Sequence, residues 1–189
     1  MGVPHYVLHR GLFIGRFQPL HLGHITTIKF ALKSVEQLTI VVGSANKSHE
    51  ARNPFTAGER IEMIKDSLDN DSEIDIRKIL IIPVPDLGVH ALWTKQIELL
   101  TPRFEAVFSN DPLTNVLFKE RGVRLIEPHL SRRKLLSATE IRSRIVRGKA
   151  WEKLVTPQTA KVIRDVDGIR RIKTLFASKA DTDTYHVPS

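Results

Sequence analysis

Apolar residues gather into short, nearly continuous runs at residues 11–15, 38–42, 79–82, 105–108 and 123–126. The runs are rich in β-branched side chains, as strands buried on both faces require. Between them the apolar period lengthens. His24, Ile28, Ala31, Leu32 and Val35 recur at helix-face spacing, and Ile61, Ile64 and Leu68 do so behind the capping-box sequence Thr56-Ala57-Gly58-Glu59. Strand and helix alternate, which predicts right-handed βαβ units and an α/β, doubly wound, Rossmann-like parallel sheet of about five strands. Ligands of such a sheet lie in the crevice beyond the carboxyl ends of its strands. Past residue 127 the pattern turns helical: one helix opens at Ser137, a short one covers 151–154, and one starts at Thr156-Pro157, where proline suits the first helical position.

No linker or internal repeat divides the chain, so a single domain over residues 1–189 is expected, with its core at about 10–175. Residues 178–189 carry little periodic apolar content and are expected to form a mobile tail. At 189 residues, 41% hydrophobic and 26% charged, the chain can bury roughly 70% of its unfolded surface, enough for an enclosed site.

Cysteine is absent. That removes disulfides, thiolate zinc sites and cysteine nucleophiles, and fits an intracellular protein. The start Met1-Gly2-Val3-Pro4-His5-Tyr6 is not a signal peptide and no stretch approaches membrane-span length, so a cytoplasmic location is expected. A formal net charge of +8 calls for an anionic partner. Nucleic-acid binders interleave aromatics with basic residues to stack bases, whereas only 6% of this chain is aromatic and most of that sits in apolar segments. Charge alone does not choose among nucleic acid, a membrane surface and a polyphosphate substrate; the sparse aromatics count against nucleic acid, and no membrane partner is expected.

The candidate chemistry lies in Gly15-Arg16-Phe17-Gln18-Pro19-Leu20-His21-Leu22-Gly23-His24, which leaves the first strand, turns and enters the first helix. A helix start offers unpaired backbone N–H groups and the positive end of the dipole, and glycine lets a ligand approach the backbone. Arg16 and two imidazoles add donors at the same point. As a structural pair, His21 and His24 would simply close the helix end; as zinc ligands they would lack an accompanying cluster of Cys, Asp or Glu. Downstream, Ser137-Ala138-Thr139-Glu140-Ile141-Arg142 has capping-box spacing, which suits a plain capped helix and a second phosphate-binding helix start equally.

Taken together, His-x-Gly-His after the first strand and Ser-x-Thr-x-x-Arg well downstream resemble the paired signatures of the nucleotidyltransferase superfamily. Gly15-Arg16-Phe17-Gln18-Pro19, Asn53-Pro54-Phe55-Thr56-Ala57-Gly58-Glu59-Arg60 and Ala91-Leu92-Trp93 narrow the resemblance to archaeal nicotinamide-nucleotide adenylyltransferases. The resemblance implies transfer of AMP from ATP to nicotinamide mononucleotide (NMN), giving NAD and pyrophosphate, with Mg2+ carried by the phosphates rather than by a protein motif. It assigns catalysis to His21, His24, Arg16, Arg52 and Arg142. ATP would be surrounded by Gly15, Arg16, Phe17, His21, Gly23, His24, Ser137, Ala138, Thr139 and Arg142, and NMN by Asp86, Trp93 and Asn110. An indole face suits a flat cationic nicotinamide; the plain alternatives are Trp93 in the core and Asn110 as a helix cap. The basic loop Arg132-Arg133-Lys134 is a further candidate for the triphosphate. A homo-oligomer, often a hexamer, is also implied. Relatives sharing these signatures use FMN, phosphopantetheine or cytidine nucleotides, and a nucleotide-sensing module would use the same anion sites without turnover. The signatures therefore specify the transfer chemistry more tightly than the acceptor.

Overall fold

The two longest strands become the middle of the sheet. β1 (Leu8–Gly15) pairs in parallel with β2 (Val35–Val42) on one side and β4 (Ala106–Phe108) on the other, while β3 (Ile79–Pro83) and β5 (Arg124–Ile126) form the edges. The order is β3-β2-β1-β4-β5 and every pair is parallel, as the strand-helix alternation predicts. This computed structural model describes residues 7–128 and 135–183, with residues 90, 91 and 179–183 through their backbone alone. Flanking the sheet are α1 (Leu22–Leu32), α2 (Ala57–Asp69), α3 (His90–Leu100), α4 (Pro112–Glu120), α5 (Ala138–Val146), α6 (Pro157–Asp165) and α7 (Gly168–Asp183).

Side chains alternate across each strand and so sort the core into two layers. Phe13, Leu38, Ile40, Val42 and Phe108 pack with Ile28 of α1, Ile64 of α2 and the C-terminal helices through Ile141, Ile163 and Ile172. Leu12, Ile14, Val41 and Val107 face the other way, onto Ile97 of α3 and Phe118 of α4. Both faces of the sheet are covered, which is why its strands read as continuous apolar runs.

Helix starts follow the expected cap chemistry. Thr56 accepts from the Glu59 backbone N–H at 3.2 Å while the Glu59 carboxylate accepts from the Thr56 N–H at 2.9 Å, closing a full capping box. Ser137 and Thr156 each accept from the residue three positions on, and a 3₁₀ turn spans Glu152–Leu154.

Three details depart from the sequence reading. Val35, read as the last apolar position of the first helix, instead opens β2, because α1 ends at Leu32 and the chain must reverse before Leu8 and Val35 can pair. β1 and β2 also begin three residues earlier than their apolar cores, where polar residues join them sideways: His9 with Glu36 at 2.7 Å and Arg10 with Gln37 at 2.8 Å. The buried stripe of α2 is rotated one residue from the expected Ile61-Ile64-Leu68 face and comprises Arg60, Met63, Ile64, Ser67 and Leu68. The helix α7 continues to Asp183; residues 184–189 of the expected tail lie outside the described residues.

Gly11 marks the tightest point of the sheet, since a Cβ there would stand 2.6 Å from the Phe108 ring and 2.9 Å from Val35. Phe108 is fully buried, so its ring cannot swing out into solvent. Gly11→Ala is expected to destabilise the fold by about 1–3 kcal/mol through overpacking, readable as a lowered thermal midpoint.

Candidate functional site

Leaving β1, the chain builds outward to β2 and β3, then returns to lay β4 on the other side of β1. The loops after β1 and β4 therefore diverge and leave a crevice at the strands' carboxyl ends. Two adjoining cavities occupy it. The larger, about 600 Å³, is lined by Arg16, Lys47, Arg52, Asp86 and Trp93 among others. The smaller, about 280 Å³, is lined by His21, Gly23, His24, Asn110, Ser137 and Ala138 among others. Ile14, Gly15 and Asp111 belong to both.

His21 is the N-cap of α1, and its ring stacks on that of His24 with centroids 3.6 Å apart and planes 20° from parallel. The His21 backbone N–H donates to His24 Nδ1 at 3.2 Å. A neutral His24 therefore carries its proton on Nε2, an N–H that cannot be spent on the helix end. Beneath it lies Phe17, with ring centroids 4.7 Å apart. His21 Nδ1 is buried without a hydrogen-bond partner in the described structure. Burial pushes the His21 pKa down to about 4, and burial together with the neighbouring His21 holds His24 well below its ordinary value. Both rings are neutral at pH 7. Gly23 is required by close approach: a Cβ would meet His21 Nδ1 at 3.1 Å and Leu136 Cβ at 3.3 Å, pushing α1 away from the entry to α5.

The arginines divide into two kinds. Arg16 and Arg52 are exposed and line the larger cavity. Arg142 is 5% exposed and lines neither cavity. Its Nη1 donates to the Gln18 carbonyl at 2.7 Å and its Nη2 to Thr139 Oγ1 at 3.4 Å, while its Nε is buried without a partner. Burial, then the charges of Arg16 and Arg52, lower its pKa to about 10, which leaves it charged at neutral pH. Gln18 in turn clasps the backbone of Phe55 from both sides, through Nε2 to the carbonyl and from the N–H to Oε1, each at 2.9 Å. Phe17, expected beside ATP, is 1% exposed and forms the floor under His24 rather than a cavity wall. Thr139 likewise lines neither cavity. The Arg132-Arg133-Lys134 loop lies outside the described residues.

On the other wall, Asp86 is held by Asn46, whose Oδ1 accepts from the Asp86 N–H at 2.9 Å, and its carboxylate meets Lys47 Nζ at 3.2 Å. Trp93 stands edge-on to Phe118 with centroids 6.1 Å apart and also lines the larger cavity. The indole is half-buried, packed against the core on one side and bordering the cavity on the other. Asn110 donates to the Pro128 carbonyl at 2.9 Å and lines the smaller cavity. It is not the cap of the next helix: that is Asp111, which accepts from Thr114 N at 2.9 Å. Among the described residues no group of three or more His, Asp and Glu gathers as a metal site.

Sequence reasoning passed over Arg60, which is fully buried and donates to four backbone carbonyls around the crevice floor. Its signal was an arginine within the apolar stripe of an amphipathic helix. Lys47 and Asp111 were also missed, because isolated charged loop residues read as solvated.

A model of the cytidylyltransferase-like family matches residues 12–144. The chain is 41% identical to a nicotinamide-nucleotide adenylyltransferase of Pyrococcus furiosus over 89% of each chain. It is 44% identical to one from Methanolobus tindarius, over 93% of this chain and 98% of the other. Among solved structures it superimposes with a TM-score of 0.73 on a bifunctional NMN adenylyltransferase/ADP ribose pyrophosphatase from Francisella tularensis, complexed with AMP and a Mn ion. That match is 21% identical and covers 96% of this chain and 57% of the other. A nicotinic acid mononucleotide adenylyltransferase of Plasmodium falciparum gives a TM-score of 0.60 at 15% identity, over 86% of this chain and 98% of the other. The two structures establish the fold.

The neutral histidine pair has a consequence for stability. Below pH 6.5 the unfolded chain takes up a proton at His21 that the folded protein refuses until about pH 4, so stability falls as pH drops through that window. The contribution of His21 is on the order of 3 kcal/mol across the full window. Denaturant unfolding between pH 7 and pH 4.5 should show this loss, and His21→Asn should flatten the slope.

Proposed function

The chain belongs to the cytidylyltransferase-like family and, within it, to the archaeal nicotinamide-nucleotide adenylyltransferases, and from this premise we infer that it transfers AMP from ATP to NMN, forming NAD and pyrophosphate. The observation that carries the reading is the convergence of the stacked histidines at the α1 N-terminus with Arg16 and Arg52 in one crevice at the sheet's switch point.

In the reaction an oxygen of the NMN phosphate forms a bond to the α-phosphorus of ATP. The bond from that phosphorus to the bridging β-oxygen breaks, and pyrophosphate leaves with the electron pair. The attacking phosphate is already ionised, so no side chain need remove a proton; positioning and charge neutralisation do the work. The Nε2–H of His24 supplies a directed donor to the reacting phosphates, and Arg16 and Arg52 supply fixed positive charge. The α1 N-terminus adds backbone donors. Arg142 acts from behind, holding the Gln18 carbonyl in the turn that leads to His21 and adding a buried positive charge. ATP takes the side between the starts of α1 and α5, and NMN takes the larger cavity, where Trp93 offers a ring face to nicotinamide.

A divalent cation accompanies the nucleotide, and we assign Mg2+. Asp86 is paired with Lys47 and Asp111 caps α4, so phosphate oxygens and water are the fitting ligands, and the ion would neutralise phosphate charge. Cytoplasmic residence suits a cysteine-free chain with no described helix long and apolar enough to cross a membrane. Exposed Leu92, Leu99 and Leu100 along α3 suit a homo-oligomer.

Incubation with ATP, Mg2+ and NMN should yield NAD and pyrophosphate in equal amounts; pyrophosphate released only with FMN or phosphopantetheine would reassign the acceptor. His24→Ala should lower kcat about a hundred- to a thousand-fold, as loss of one preorganised donor does, and near-normal turnover would remove His24 from the chemistry. Trp93→Ala should weaken NMN by about 1–3 kcal/mol while leaving ATP affinity unchanged. Trp93→Phe should recover part of that loss, and titration calorimetry with each substrate tests both.

A further inference from the structure

Arg60 is 0% exposed and lines neither cavity. Its Nη1 donates to the carbonyl of Arg16 at 2.9 Å and to that of Gly43 at 2.7 Å. Its Nη2 donates to the Ser44 carbonyl at 3.1 Å and its Nε to the Thr56 carbonyl at 3.0 Å. Among the described residues no carboxylate forms an ion pair with it. One guanidinium thus joins the turn after β1, the turn after β2 and the start of α2.

Burying a cation without a counter-ion is costly, and an apolar side chain at this point of the α2 stripe would serve packing alone at least as well. What the guanidinium supplies is geometry. Three of its four acceptors are carbonyls at the ends of the two central strands, and those ends are also joined directly, Gly43 N–H to the Gly15 carbonyl at 2.9 Å. Phe17 and Ser44, just beyond the two strands, stand at φ 51° and 49°, a left-handed backbone that must be held by its surroundings. The carbonyl of Arg16 belongs to the residue whose side chain enters the larger cavity.

We propose that Arg60 is a positioning residue for adenylyl transfer: its planar fork locks the two post-strand turns together and thereby sets where Arg16 and the histidine-bearing helix meet the triphosphate. The proposal rests on the adenylyl-transfer reading above. Planarity is essential to it. A lysine ammonium has a single nitrogen and can reach the Arg16 and Gly43 carbonyls, but not those of Ser44 and Thr56 at the same time.

Arg60→Lys and Arg60→Gln, compared with the unaltered protein, test this by two readouts. The first is Mg-ATP affinity by calorimetry without acceptor, and the second is kcat and the KM for ATP per folded molecule, well below each thermal midpoint. In Arg60→Lys, ATP affinity and kcat should each fall about ten- to a hundred-fold, the size of loss that a misplacement of roughly 1 Å produces, with a larger loss in Arg60→Gln. A brace that matters only for folding would lower the thermal midpoint and leave ATP affinity, kcat and KM within about twofold of the original; that outcome in Arg60→Lys overturns the proposal, whether or not Arg60→Gln folds. If the unaltered protein binds Mg-ATP but makes no NAD, the transfer reading fails, while the affinity comparison still decides the brace.

Discussion

Removing an arginine from water is tolerable only when its N–H groups find acceptors. Arg60 finds them solely in backbone carbonyls drawn from three separate segments, so those segments must converge. The same device recurs around it. Arg142 holds the Gln18 carbonyl, Gln18 clasps Phe55, and Arg171 of α7 reaches the Pro54 carbonyl at 3.2 Å and the Glu59 carboxylate at 2.7 Å. Burial works against the Glu59 charge, yet Arg171 and the Thr56 N–H hold its pKa below the ordinary value. Irregular backbone at the mouth of the sheet, which has no ladder of its own, is thus held by side chains planted in helices. The C-terminal helices belong to this scaffold as much as to the core.

Electrostatically the crevice separates charge from direction. Arg142 keeps its positive charge at neutral pH, and Arg16 and Arg52 stand exposed on the larger cavity. The two imidazoles are kept neutral by burial, reinforced at His24 by the neighbouring His21, and His24 presents an oriented N–H instead. A neutral donor with a fixed tautomer points at one place, whereas a solvated cation attracts from every side. Phosphoryl chemistry, in which charge shifts among neighbouring oxygens, uses both.

Much of this was legible in the residues. Continuous apolar runs gave away strands covered on both faces, and Thr56, Ser137 and Thr156 marked helix starts because their side chains can accept from a free N–H. His21, Gly23, His24, Arg16 and Arg52 stand where their place after β1 and β2 put them. Val35 misled because an apolar residue after a helix fits either period, and only its pairing with Leu8 decides. Phe17 and Arg142 share signatures with the site but do not line it; a motif records which residues occur together, not which of them face the ligand. What Arg60 holds was illegible for a deeper reason. Its acceptors are main-chain atoms, and main-chain atoms leave no trace in residue identity.

The crevice also has two walls of separate origin. One is made by the turn after β1 and the start of α5; the other comes from the segments after β2 and β3, with Asp86, Leu87, Val89 and Trp93 along it. Arg60 holds the Gly43 and Ser44 carbonyls at the base of the second wall, whereas its Asp86, Leu87 and Val89 stretch lies in the loop between β3 and α3. Side chains along that loop can change while the braced turns after β1 and β2 stay in place, so the shape of this wall is separable from the scaffold that carries it.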